Sequence, residues 1–118
     1  MLDDGTWCAY QVAEVPGWIM LATREHVDGP DGLTNGQADS LGHHIRTVGA
    51  ALKQTTAAER VHVVYLGEAA RHFHAGFFPR VAGQEPLLGN DRVLAEVESA
   101  ADPAGAATVR ASVRELIA

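Results

Sequence analysis

The sequence is poor in cysteine and in positive charge. Its single cysteine, Cys8, allows neither an internal disulfide nor a thiolate zinc cluster within one chain. Nine Lys and Arg residues stand against fifteen Asp and Glu residues, which gives a net charge of −6, and the chain contains no basic run. Because a non-specific grip on nucleic acid needs clustered Lys and Arg side chains, this charge balance argues against a nucleic-acid partner.

Long hydrophobic runs are also missing. No apolar stretch approaches the roughly 20 residues that a membrane-spanning helix needs. The first five residues, Met-Leu-Asp-Asp-Gly, are acidic and lack the basic start and apolar run of a signal peptide. We therefore expect a soluble, cytoplasmic protein without a membrane partner.

The apolar content is nevertheless high enough for a folded core. Hydrophobic residues make up 47% of the chain and charged residues 20%, a balance typical of a globular rather than a disordered protein. The 118 residues correspond to one independently folding unit, since such units usually run about 100–150 residues. We predict a single domain over residues 1–118.

The clearest predicted element is a helix over residues 35–54. Thr34 and Gln37 have the spacing of a capping box, in which each side chain satisfies the other's free backbone N–H group. An apolar stripe follows at helical spacing and consists of Leu41, Ile45, Val48 and Leu52. This pattern predicts a long amphipathic helix that packs on a core.

Strands are predicted on both sides of this helix. The first two form a hairpin that turns at Pro16-Gly17, and the last is stopped by Pro79. The four predicted strands are residues 7–13, 18–22, 61–66 and 72–78. After a loop over residues 81–90, two short helices are predicted at 91–100 and 103–117. Since strands and helices do not alternate strictly, the fold class is α+β with an antiparallel sheet.

Two histidines, His72 and His74, lie within the last predicted strand. Side chains alternate between the faces of a strand, so both imidazoles and Gly76 are expected on one face. Such a pair can ligate a metal ion with a third group, can provide a nucleophile for phosphoryl transfer, or can simply be solvated. His62 on the adjacent strand would be the third metal ligand. Because the sequence does not make His62 or any other residue an evident third ligand, we predict no metal at the site.

The residues around this pair resemble the signature of the histidine triad (HIT) superfamily of nucleotidyl hydrolases and transferases. In residues 66–80, His-Phe-His-Ala-Gly-Phe-Phe follows a Gly-Glu pair and precedes Pro-Arg, which is the frame of the family's His-φ-His-φ-His-φ-φ motif. Residues 16–27 look like the family's Pro-Gly-His segment that ends in a further histidine. The similarity covers about residues 8–95. It implies a HIT-like antiparallel sheet with one long helix and C-terminal helices.

The resemblance also implies a mechanism. In this family the middle histidine attacks a nucleotide α-phosphate and forms a covalent nucleotidyl-histidine, and the matching residue here is His74, supported by His72. His26 matches a histidine for which a structural or pocket-lining role is expected. Apart from the resemblance, Arg71 and Arg80 flank the histidines, and each can either neutralise phosphate or simply be a surface arginine that closes a strand. The implied partner is a nucleotide or a related phosphate-containing ligand, without a cofactor. Family members commonly form homodimers through the long helix and a strand edge.

Three departures from the family pattern affect this expectation. Gly76 replaces the third histidine, so a group that aids departure of the leaving group is missing. The smaller residue is also expected to open space for a bulkier substrate. Tyr10 or Gln11 stands where the family usually carries an acidic residue for the ribose, and Trp18 replaces a histidine after Pro-Gly. Tyr10 and Trp18, with Trp7, are candidates to stack on a base, although aromatic residues in a hairpin belong more often to the core or to a dimer interface. The alternative function is a ligand-binding or specialised-metabolism protein with altered or lost nucleotide hydrolysis.

Overall fold

The computed structural model of the protein describes residues 1–84 and 100–117. Its strands are β1 (Leu2–Asp3), β2 (Trp7–Gln11), β3 (Ile19–Thr23), β4 (Arg60–Val64) and β5 (His74–Arg80). They form one antiparallel sheet in the order β1-β2-β3-β5-β4. Helix α1 (Asn35–Thr56) packs on β4 and β5 and against helix α2 (Pro103–Ile117). No described helix has the length and apolarity needed to cross a membrane.

The α+β fold class predicted from the sequence is confirmed, and so are the helices that lie in the described ranges. At the start of α1, the Thr34 hydroxyl accepts from the backbone N–H of Gln37, and the Gln37 side chain accepts from the backbone N–H of Thr34. The helix runs two residues beyond its predicted end and stops at Ala57, which adopts a left-handed conformation. Helix α2 has the predicted bounds.

Strand boundaries differ from the predicted ones. Strand β1 is an addition, β4 ends at Val64, and β5 begins at His74 and continues through Pro79. A proline is tolerated there because β3 pairs with β5 only from His74 to Phe77, so its missing N–H lies beyond the β3 ladder. The predicted helix over 91–100 and most of the predicted loop over 81–90 lie outside the described residues.

The sheet presents two different faces. One face packs against α1 and carries the main core, in which the Trp7 indole N–H donates to the Ser40 hydroxyl over 2.8 Å. The fully buried members of this core include Trp7, Ile19, Leu21, Val48, Leu52 and Phe77. Because side chains alternate along a strand, the intervening residues of β2, β3 and β5 point to the opposite face. His74 lies on that opposite face.

Candidate active site

His74 is held in one orientation at the start of β5. Its Nδ1 lies 2.8 Å from the backbone carbonyl oxygen of His72. Since a carbonyl oxygen can only accept, the neutral imidazole carries its proton on Nδ1 and keeps its lone pair on Nε2. The ring of Tyr65 meets the imidazole edge-on, with the ring centroids 5.8 Å apart. His74 is therefore an oriented imidazole with one unprotonated nitrogen.

His72 precedes β5 and is fixed from two sides. Its Nε2 donates to the backbone carbonyl of Thr23 and lies 3.2 Å from the Thr23 hydroxyl. Thr23 is almost fully buried, with 1% exposure, so this anchor is shielded from water. The ring of His26 packs edge-on against the His72 ring at 5.4 Å between centroids. His26 thus contacts His72, but it is exposed and is not among the residues that line the pocket around His72 and His74.

Both His72 and His74 line one pocket of about 480 Å³ on the open face of the sheet. This volume lies within the range of small-ligand sites. The remaining lining comes from β2, from β3 and from the residues beside His72, and consists of Cys8, Tyr10, Met20, Ala22, Thr23, Arg24 and Ala70. The pocket therefore joins two oriented imidazoles to a mainly apolar floor.

The electrostatics of the pocket suit an anion. Among its described lining residues, Arg24 carries a permanent positive charge. The Arg24 guanidinium lies 3.5 Å from the Asp3 carboxylate, and both side chains are 54% exposed, so this ion pair binds Arg24 only weakly. Burial raises the pKa of the Tyr10 phenol, and the neighbouring Cys8 adds to the effect. Tyr10 is therefore a neutral donor at pH 7.

The structure brings some of the predicted site residues together and separates others. Tyr10 lines the pocket beside the two imidazoles, whereas Arg71 is exposed and is not part of the lining. Trp18 is 4% exposed and packs edge-on against Phe78, with centroids 4.8 Å apart, at the other end of the sheet face. The space expected above Gly76 is not open, because the Phe78 ring covers this glycine.

Sequence reasoning did not single out several residues that line the pocket. Cys8 and Met20 share a face with Tyr10, and period-2 alternation identifies them once the pairing of β2 with β3 is known. Arg24 lies within the segment similar to the family, but no pattern distinguishes it from a surface arginine. The contact of Thr23 with His72 joins residues 49 positions apart, so no local signal reveals it.

His62 does not join the histidine pair. It lies opposite Phe78 in the β4–β5 ladder, four residues along β5 from His74. Within residues 1–84 and 100–117, no three His, Cys, Asp or Glu side chains are grouped to hold a metal ion. The hypothesis of a metal site with His62 as third ligand is therefore not supported.

A larger cavity of about 750 Å³ lies near Trp18 and Pro79, at the end of the sheet away from His74. Its described lining contains no histidine and is formed largely by apolar residues. The two imidazoles therefore belong to the smaller pocket and not to this cavity.

Comparisons with solved structures identify the fold. No protein-family model and no curated protein matches the sequence. A histidine triad protein from Bradyrhizobium japonicum superposes with a TM-score of 0.80 at 19% identity, over 98% of this chain and 87% of that one. A histidine triad protein from Sinorhizobium meliloti gives 0.70 at 22% identity, over 94% and 83%. A zinc-bound histidine triad family protein from Mycobacterium smegmatis gives 0.68 at 13% identity, over 98% and 83%.

The architecture around the histidine pocket is therefore that of the histidine triad proteins. The sheet with its long helix and C-terminal helix matches these structures over nearly the whole chain. The HIT-like fold expected from the sequence motif is confirmed.

Proposed function

We propose that the protein is a nucleotidyl hydrolase or transferase in which His74 attacks the α-phosphate of a nucleotide. The observation that carries this proposal is the 2.8 Å contact between His74 Nδ1 and the His72 carbonyl oxygen. It leaves the lone pair on Nε2 of a residue that lines a ligand-sized pocket. Imidazole is largely neutral near pH 7 and forms a labile bond to phosphorus, so it can both accept and release a nucleotidyl group.

Neighbouring groups favour binding of a phosphate. His72 lines the pocket beside His74, and Arg24 brings positive charge to the same region. In a protein with a net charge of −6, this local cation makes the pocket more attractive to an anion than most of the surface. Tyr10 and Met20 provide an aromatic ring and an apolar side chain, against which a nucleoside base can pack.

The proposed reaction consists of two displacements. In the first, His74 Nε2 forms a bond to phosphorus, and the bond from phosphorus to the leaving group breaks with its electron pair departing on that group. The imidazole becomes cationic, and the His72 carbonyl stabilises it through the Nδ1 proton. In the second, water or another acceptor attacks phosphorus, the N–P electron pair returns to Nε2, and the acceptor's proton passes to solvent.

Intact-protein mass spectrometry tests this mechanism. Native protein is incubated with a panel that includes adenosine 5′-phosphoramidate and dinucleoside polyphosphates. We expect a nucleotidyl adduct or turnover with at least one compound, and neither with His74→Ala. His43→Ala is the matched control, since His43 is exposed on α1 and contacts Arg46 instead of the pocket. Absence of both signals from native protein across the panel would contradict the proposal.

A second candidate function is ligand binding without turnover. This function is favoured because neither residue at the position of the family's ribose-binding carboxylate is acidic. Tyr10 faces the pocket, and the Gln11 amide donates to the backbone carbonyls of Val12 and Val15. Calorimetry with nucleoside monophosphates, run beside a hydrolysis assay, separates the two candidates. Binding without hydrolysis supports this second function, and ready hydrolysis excludes it.

We also propose a homodimer that forms through α1 and the edge strand β4. Val63 on β4 and the following Leu66 are 41% and 52% exposed, and an apolar strand edge favours pairing with another chain. Light scattering at micromolar concentration should give the mass of two chains, and a monomer mass would contradict the proposal. A single domain over residues 1–118 and a cytoplasmic location stay predictions.

A further inference from the structure

The position that follows His74 on the same face of β5 is covered by hydrocarbon. His74, Gly76 and Phe78 follow one another on the same face of the strand. A Cβ placed on Gly76 would lie 2.8 Å from Cζ and 3.0 Å from Cε2 of Phe78, and 3.6 Å from Cε of Met20. The Phe78 ring therefore lies back over Gly76 and occupies the volume that a longer side chain would need.

This ring is firmly packed. Phe78 is 8% exposed and forms a second apolar cluster with Val15 and Trp18, against which Val12 and Val64 also pack. The rings of Phe78 and Trp18 meet at 81°, an edge-to-face arrangement that stabilises aromatic pairs. Because the ring is held by Val64 of β4 and by residues of the β2–β3 connection, its displacement by a substrate would cost packing energy.

The polar and apolar parts of the site lie on different sides of His74. Thr23, Arg24 and His72 are on one side, so the charged nonbridging oxygens of a phosphate belong there. Met20 lines the pocket on the other side, where Gly76 and Phe78 adjoin it, and these three residues form an apolar wall toward which a remaining substituent of phosphorus would point. The Tyr10 hydroxyl belongs to β2, and Met20 of β3 lies between Tyr10 and Gly76, so the backbone of Tyr10 is about 10 Å from that of Gly76 at the usual strand spacing.

We infer that Gly76 and Phe78 make the site selective for nucleotides whose leaving group departs as a stable anion without being protonated. Phosphate, carboxylate and acidic phenols bonded to the α-phosphorus belong to this class, whereas alkoxides and amines do not. The physical reason is that a hydrocarbon wall neither donates a proton nor stabilises developing charge, and general acid assistance is typically worth about 10²–10⁴ in rate. The inference rests on the proposed function and specifies its substrate class.

A series of aryl esters of adenosine 5′-monophosphate tests the inference. The nucleotide is constant and the phenol varies from 4-nitrophenol to unsubstituted phenol, with release of the phenol measured as kcat/KM. Without a proton donor, the rate should fall steeply as the pKa of the phenol rises, because the departing phenolate carries the developing negative charge unassisted. Adenosine 5′-phosphoramidate should be among the poorest donors.

The outcomes separate this inference from the proposed function. A nucleotidyl adduct with a rate that is flat across the phenols would overturn the leaving-group selectivity alone. Neither adduct nor turnover even from the 4-nitrophenyl ester would overturn the proposed function, and the selectivity with it.

Two variants probe the apolar wall directly. Gly76→His combined with Phe78→Ala frees the ring's volume for an imidazole, and should raise the rate with the phenyl ester at least about tenfold relative to the 4-nitrophenyl ester. Phe78→Ala alone is the matched control, since it removes the ring without adding a donor, and should keep the steep dependence. If circular dichroism shows either variant unfolded, the slope of the native protein decides the question by itself.

Discussion

The two ends of strand β5 differ in character. At His74 the strand borders a pocket with two imidazoles and a guanidinium, whereas at Phe78 it enters a closed cluster with Val15 and Trp18. Gly76 lies between them, about 7 Å from each end residue at the usual rise of a strand. A single short strand thus carries a histidine of the candidate site near its start and a buried core residue four positions later. Gly76, at the third position of the motif, is covered by that core residue, Phe78.

The largest expected effect is at the polar end. Replacing the proposed nucleophile by His74→Ala should lower turnover at least about 10³-fold, since the variant lacks the nitrogen that forms the covalent bond in the proposed mechanism. The melting temperature should change little, because this imidazole is only half-buried. Turnover assays with thermal unfolding check both statements. An adduct that persists in the variant would place the nucleophile elsewhere.

The apolar end should show the reverse. Phe78→Ala deletes a buried ring from the second cluster and should lower the free energy of unfolding by about 3–5 kcal/mol. Denaturant unfolding measures this loss. Leu116→Ala, at an exposed position of α2, is the control and should cost much less. A loss below about 1 kcal/mol from Phe78→Ala would mean that the two ends do not differ as described.

A subtler change at the polar end tests whether Thr23 positions His72. Thr23→Val removes the hydroxyl 3.2 Å from His72 Nε2 and keeps the carbonyl contact. Turnover should fall about threefold to tenfold, the equivalent of one neutral hydrogen bond. Thr23→Ser should restore the loss if the hydroxyl is responsible. Equal loss in both variants would indicate a packing effect instead.

The single cysteine reports on occupancy of the pocket. Cys8 lines it, so alkylation by N-ethylmaleimide should slow when a nucleotide is bound. At a nucleotide concentration ten times Kd, about tenfold protection is expected by mass action. Intact mass gives the rate without ambiguity, since the chain has one thiol. An unchanged rate under saturation would argue that the ligand binds elsewhere.

The smallest effect is expected at Asp4, which is away from both ends of β5. The Asp4 carboxylate contacts the His44 imidazole of α1 and so links the β1–β2 turn to that helix. Burial opposes ionisation of Asp4, but the backbone N–H groups of Trp7 and Thr6 and the His44 imidazole outweigh it, so the pKa of Asp4 is lowered. A carboxyl with a lowered pKa stabilises the fold above its unfolded value of about 3.9. This contribution is lost as the pH falls through the lowered folded value.

Asp4→Asn should therefore be less stable than native protein at pH 7, and the difference should shrink under acid conditions. Urea unfolding across pH 2–7 measures it, with Asp39→Asn on the exposed face of α1 as control. A difference independent of pH would contradict the assigned role of the Asp4 charge.

The predictability of the elements depends on how local their signals are. The start of α1 follows from Thr34 and Gln37, three positions apart, and α2 from Asp102 and Pro103 at its entry. The ends of β5 were predicted less well because they depend on which neighbour the strand pairs with. The pairing of β5 with β3 ends at Phe77. Beyond that point β5 pairs with β4 alone, so Pro79 can lie in the strand without leaving a gap in a second ladder.

The sequence by itself determined the helix faces and caps, the α+β class, and the spacing that brings His72 and His74 to one side of the sheet. These properties are set by residues within a few positions of one another, where periodicity and hydrogen bonding leave few alternatives. Only the tertiary structure decided that Phe78 fills the space above Gly76, that Trp18 packs away from the pocket, and that Thr23 holds His72. Those contacts depend on strand register and on how side chains from separate elements fill one volume, and neither is encoded in a local pattern.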